Sequence, residues 1–204
     1  MLIEHGGKQP VIHPSAYVAP SAVLSGDVTV GEDTRVLHGA VLTSEGGPVT
    51  VGSRCVVMEN AIIRGVRRHP ARLGDHVLVG PRAHLSGCVV DGEVFLATGT
   101  TVFNGATIGA RSEVRVNGVV HVNSLLEADA VVPIGWVAVG APAEILPPSD
   151  HERIWAIQRS MDFPGTVWGV DRETPMREVM ERYTRALARH LEDRVLDAQD
   201  DPGR

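Results

Sequence analysis

An all-β fold, a parallel β-helix of hexapeptide repeats followed by C-terminal α-helices, is what the 204-residue sequence predicts. Three observations carry this. From Ile12 onward an aliphatic residue returns at about every sixth position, as at Val18, Leu24, Val30, Val36 and Leu42, and later at Val90, Leu96, Val102, Ile108 and Val114. Four residues after most of these stands a small or β-branched residue, among them Ala22, Thr34, Ala40, Cys55, Ala61, Ala83 and Ala106. Turn formers gather between them, at Gly26-Asp27, Gly31-Glu32-Asp33, Gly74-Asp75 and Gly87. Neither a period of about 3.6 nor strict alternation produces this pattern, whereas short strands joined by tight corners do.

Each hexad reads as a strand and a corner, and three hexads make one triangular coil with its aliphatic side chains inward. A single coil buries too little to fold alone, so the coils must stack. The beat is interrupted by insertions after Leu42 and Ile63, shortens to five residues between Leu85 and Val90, and fades at Ala138. It ends near Pro142-Ala143-Glu144, which divides the chain into a β-helix domain over 1–145 and a helical extension over 146–204. Pro147-Pro148-Ser149-Asp150 breaks the chain and caps a helix predicted over 150–160, with Ile154, Trp155 and Ile157 on its apolar side. The stretch 162–170, with Phe163-Pro164-Gly165, reads as a loop. A second helix is predicted from Thr174-Pro175 to about Asp197, with Met176, Val179, Met180, Tyr183, Leu187 and Leu191 at helical spacing. The extension is expected to pack on the β-helix or on a neighbouring subunit, and residues 199–204 to fray.

With 22 glycines and 4% aromatics, the core is built from aliphatic ladders rather than aromatic clusters. A net charge of −6 gives no electrostatic case for nucleic acid. No apolar stretch approaches membrane-spanning length and the N-terminus has no basic-then-apolar segment, so a cytoplasmic protein is expected. Cys55, at an inward position, and Cys88, at a turn, are expected to be unpaired structural thiols.

Five segments carry a resemblance. Val36-Leu-His-Gly-Ala-Val-Leu42, Gly47-Pro-Val-Thr-Val-Gly52, Gly74-Asp-His-Val-Leu-Val-Gly80 and Leu85-Ser-Gly-Cys88 resemble the γ-class carbonic anhydrase-like branch of hexapeptide-repeat proteins, and Val132-Pro-Ile-Gly-Trp-Val-Ala-Val-Gly-Ala-Pro-Ala-Glu144 is similar to its closing coil. The resemblance covers roughly residues 10–145, including both insertions and the five-residue step. It implies a left-handed β-helix, a homotrimer, and a site between subunits where three histidines hold zinc or a related metal. Here the positions of those histidines carry Arg64, Pro81 and Ser86, and the family's Arg-Gly-Asp and Gln-Asp read Thr43-Ser44-Glu45 and Met58-Glu59. Arg64 stays protonated without a lone pair, Pro81 has no donor and Ser86 is a poor zinc ligand. Ordinary zinc hydration of carbon dioxide is therefore not expected.

Counted along the beat, His38, Glu59 and Pro81 form one outward column and Thr43, Arg64 and Ser86 another, with His84 outward beside Leu85. The segment 65–72 adds Arg67, Arg68, His69 and Arg72 in a long loop nearby. Three readings of this cluster stand open. His69 and His84, with His38 or Glu59, make a non-standard site for zinc or another divalent metal. Alternatively Arg64, Arg67, Arg68 and Arg72, with Ser86, bind a small anionic ligand, a carboxylate or phosphate, while His84, Glu59 or His38 acts as acid or base. In the third reading the cluster is a salt-bridge network at a trimer interface, without a ligand. From other classes come a hexapeptide-repeat acyltransferase with His38, His69 or His84 as base, and a non-catalytic trimeric scaffold. Of the other histidines, His76 is expected in solvent and His121 on the surface or at an interface. His13, His151 and His190 enter no constellation, and the sequence assigns His5 no place.

Overall fold

A computed structural model describes residues 1–196, most of them wound into a left-handed β-helix with three sheets. Its first face is a ten-stranded sheet that includes Val23–Ser25, Val41–Glu45, Ile62–Val66, His84–Ser86, Thr101–Val102, Val119–Val120 and Val137–Val139. The second face runs from Val11–Ile12 to Leu125–Leu126 and the third from Tyr17–Val18 to Val131–Val132, with seven strands in each. Residues at equal offsets pair in parallel: Leu42, Ile63 and Leu85 on the first face, Val51, Leu73 and Val90 on the second, Val36, Val57 and Val79 on the third. All nine are buried, and with their neighbours they form one continuous core. Ile12 and Val18 begin the second and third faces and stay half-buried, because no strand of those sheets lies beneath them. Cys55 and Cys88 are buried free thiols, and Cys88 lies inside rather than in an open turn, its thiol pushed up to about 12 by burial.

Most corners place a residue in the left-handed region, where a Cβ crowds the following carbonyl. Asp33, Arg54, Asn60, His76, Arg82, Glu93, Arg111, Asn117, Asn123 and Asp129 all sit there, with φ between 53° and 62°. The stacked coils thus impose this conformation on residues beyond the Gly, Asp and Asn that turn chemistry favours. A different constraint acts at Gly65, where an added Cβ would lie 2.3 Å from the Gly47 carbonyl oxygen.

That close approach lets Val41–Glu45 and Ile62–Val66 pair over five residues. The segment expected to be a long loop is therefore mostly ordered. Val66 and His69 exchange two backbone hydrogen bonds at 2.9 Å, so only Arg67 and Arg68 form the tip, both exposed. Arg72 belongs to strand Ala71–Leu73 on the second face, away from the other arginines.

The C-terminal segment runs back down the first face. After strand Glu144–Leu146, antiparallel to Val137–Val139, helix α1 (His151–Gln158) packs Ile154 on Val139 and Leu146. Phe163-Pro164-Gly165, expected as a loop, instead opens a short helix α2 (Phe163–Trp168), since Asp162 caps the Gly165 N–H and Pro164 occupies the first turn, where its missing N–H costs little. Helix α3 (Met176–Leu187) ends earlier than the sequence predicts. A short 3-10 turn covers Ala188–Glu192, and Arg194–Leu196 forms a strand antiparallel to Leu2–Glu4. Pairing of that first strand's open edge outweighs continuation of the helix, and Leu191, expected on the helix's apolar side, is 89% exposed. The expected fraying over 199–204 lies outside the described residues. Among the described residues no helix is long and apolar enough to cross a membrane.

Candidate functional site

One outward column of the first face carries Ser25, Thr43, Arg64 and Ser86 in register, continued one coil at a time by Phe103 and His121. The returning C-terminal segment lies over this column. Phe163 packs its ring 5.7 Å from Phe103 and 5.9 Å from His121. Lower down, Arg64 donates through Nη2 to the Tyr183 hydroxyl at 2.8 Å. At the bottom Thr43 donates to Glu45 Oε1 at 3.0 Å, and Glu45 Oε2 lies 3.1 Å from His190 Nε2 and 3.7 Å from Arg189.

The network continues through Asp193, whose Oδ2 is 2.9 Å from His190 Nδ1 and whose Oδ1 is 2.5 Å from His5 Nδ1. The two imidazoles stack, with centroids 4.4 Å apart and planes 27° from parallel. Burial alone pushes both carboxyls up. For Glu45 the Thr43 hydroxyl and His190 outweigh it, and for Asp193 its bonds to His190 and His5 do, so both end below the usual carboxylate range. The Asp193 bond holds His190 above the ordinary histidine value.

His84 pairs in register with Ile62 and Thr101, half-buried; burial, and then the charge of Arg64, hold its imidazole below the ordinary value. Ser86 is buried beside it. His69 lies over Gly87 and Gly105, kept low by burial and by Arg68. Arg68 lines a polar groove of about 490 Å³ together with Asp162, Asp171, Glu178 and Arg182. His38 and Glu59 occupy the opposite edge of the first face, in the same column as Pro81. Five residues separate that column from Arg64's along each coil, roughly 12–16 Å at strand rise. His38 there bonds Ser21 at 2.9 Å. Within one chain, then, Arg64, His84 and Ser86 come together, and His38 and Glu59 do not join them.

Two histidines stand elsewhere than the sequence suggests. His190, which sequence leaves outside any constellation, sits at the centre of one, because the chain returns to its own N-terminus and brings His5 into the same group. His121 is not on the surface: Phe163 covers it, it is 6% exposed, and its Nδ1 has no hydrogen-bond partner among the described residues. His5 and Asp193 are 188 positions apart, and no local spacing signals their meeting. The amphipathic stretch around Tyr183 was the one available hint that this segment docks.

No protein-family model matches the chain. It is 32% identical over 159 residues to γ-carbonic anhydrase 1 of Arabidopsis thaliana mitochondria, an alignment covering 75% of this chain and 56% of that protein. The chain thus spans about half the length of the first curated relatives it matches. It is 27% identical over 184 residues to the carnitine operon protein CaiE of Escherichia coli, covering 88% of this chain and 91% of that one. Among solved structures, a putative acetyltransferase from Bacillus cereus superposes with a TM-score of 0.54 at 25% identity, covering 78% and 90% of the two chains. With the coil register, the two insertions and the shortened step, these likenesses lead to one conclusion: the chain is a γ-carbonic anhydrase-like member of the hexapeptide-repeat superfamily.

Proposed function

We propose that the chain forms a homotrimer whose inter-subunit site binds a small anionic ligand, a carboxylate or a bicarbonate-sized oxyanion, through Arg64. The observation that carries this reading is the placement of Arg64. Its guanidinium stands at a position of a family histidine ligand, half-buried, with Tyr183 fixing one nitrogen. A guanidinium held in this way presents its remaining N–H groups as a preorganised fork for an oxyanion. Ser86 and His84 stand beside it, and burial favours the neutral imidazole, so His84 can accept a proton near neutral pH. Arg67 and Arg68 add positive charge at the rim.

Zinc, which the family implies, does not fit the three substituted positions. Arg64 offers no lone pair, Ser86 is a weak ligand, and Pro81 is a donorless residue on the far edge of the face. No step of the proposed chemistry runs through zinc there. Threefold assembly supplies the missing half of the site by setting one chain's His38, Glu59 and Pro81 edge against the next chain's Arg64 column. In support, Phe95, Val116, Val131 and Ile134 are 38–67% exposed on the third face and that same edge, an apolar surface suited to self-association.

Thermal unfolding of the purified protein in graded bicarbonate, acetate and phosphate tests the reading. One of these anions is expected to raise the midpoint saturably, and Arg64→Ala to abolish the rise while leaving the oligomer intact. An unchanged rise in that variant removes Arg64 from the site. A second reading, acyl transfer with His84 as base, is favoured by the Bacillus cereus likeness and by the neutral imidazole. Its mark is release of thiol from acetyl-CoA that depends on an amine or hydroxyl acceptor and is lost in His84→Ala.

A further inference from the structure

We propose that His5, Glu45 and His190 form a site for a divalent transition-metal cation of the zinc or cobalt class, with Asp193 orienting both imidazoles from outside the coordination shell. None of the three stands at a position of the family's histidine ligands, and the proposal does not rest on Arg64 binding an anion.

Asp193 carries the first part of the argument. It meets the Nδ1 atoms of both rings, one with each oxygen, at 2.5 Å to His5 and 2.9 Å to His190. A carboxylate that takes an imidazole's Nδ1–H fixes the tautomer and leaves the Nε2 lone pair for a metal. Here one carboxylate does so for two rings at once.

Glu45 supplies the second part. Its Oε2 lies 3.1 Å from His190 Nε2, and a proton shared across that gap occupies the place of a cation. Metal binding displaces this proton to solvent, leaving neutral imidazole and carboxylate as ligands. One donor atom from each of the three residues lies within 4.8 Å of the others. Zinc bonds of about 2.0–2.2 Å place tetrahedral donors roughly 3.3–3.5 Å apart, so the site closes by roughly 1.5 Å at most. Two imidazoles with one carboxylate favour zinc or cobalt over the oxygen-seeking magnesium and calcium. Three protein ligands also leave a tetrahedral position for water or an anion. The His5 and Glu45 side chains are 5% and 9% exposed, whereas His190 is 34% exposed and opens the route of entry.

Cobalt(II) titration of the chelator-stripped full-length chain tests this. Expected are one equivalent per chain, intense visible bands of four-coordinate cobalt, and displacement by zinc. Glu45→Gln and His190→Ala should each abolish the bands, Asp193→Asn should weaken binding by about 10–100-fold, and Arg64→Ala, which removes a positive charge acting on Glu45, should keep the stoichiometry of one equivalent and the four-coordinate bands. His5→Ala opens a buried position, so Glu45→Gln and His190→Ala decide if it fails to fold. Absence of saturable binding overturns the proposal. So does binding that survives in both Glu45→Gln and His190→Ala, an outcome that points to His69 and His84 instead.

Discussion

Asp193 is one carboxylate shared by two stacked imidazoles, and its position makes the junction of the chain's two ends sensitive to pH. His5, just past the first strand, Glu45 on the long strand of the first face and Asp193, just past the 3-10 turn, all face His190, and Arg189 of that turn lies 3.7 Å from Glu45. Because the folded pKa of His190 is raised, its contribution is fully present below about 6.5 and is lost as pH climbs through the folded value. Glu45 and Asp193 are depressed, so theirs is present above the ordinary carboxylate range and is lost as pH falls through the lower folded values. The junction is therefore tightest at mildly acidic pH and loosens on the alkaline side. Amide exchange in metal-free buffer, corrected for the intrinsic rate, should show protection of Arg194–Leu196 falling as pH rises above the ordinary histidine value of 6.5. In His190→Gln that pH dependence should vanish. Protection that stays constant in the wild type would contradict this account of the junction.

At the scale of elements, the long strands Val41–Glu45 and Ile62–Val66 decide where the chemistry sits, since they carry Thr43, Glu45 and Arg64 past the ordinary corner. Their pairing depends on Gly65, whose Cβ, if present, would meet backbone oxygens of Gly47 and Pro48 at 2.3 and 2.5 Å. Backbone atoms cannot move aside as a flexible side chain can. Gly65→Ala is expected to destabilise the protein by about 1–3 kcal/mol, the usual cost of overpacking, which denaturant unfolding measures. An unaltered midpoint would mean that the strands separate there without cost. The coils were legible because a six-residue period leaves its mark on every hexad, and inward positions such as Leu42, Ile63 and Leu85 tolerate only apolar side chains. The C-terminal elements were less legible. Leu191 continues a helical spacing through a segment that the open edge of Leu2–Glu4 draws into a strand instead. An edge seeking a partner leaves no local pattern in the residues that come to fill it.

For the whole molecule, the architecture of the γ-carbonic anhydrase-like family is retained, and in the proposed function Arg64, Pro81 and Ser86 take the three ligand positions. That reading rests on the sequence, because the repeat gives each polar residue a place on the column. The Glu45, His190, Asp193 and His5 network was not readable, because it exists only once the C-terminal segment has crossed the whole first face. The central claim is that the proposed trimer does no zinc hydration at the family's position. Its most direct test is stopped-flow hydration of carbon dioxide by zinc-supplemented protein, on a sample shown by sedimentation to have three times the 21.8 kDa chain mass. Negligible hydration in the wild type and in His190→Ala is the predicted result. Chelator-sensitive hydration that persists in His190→Ala would contradict the account.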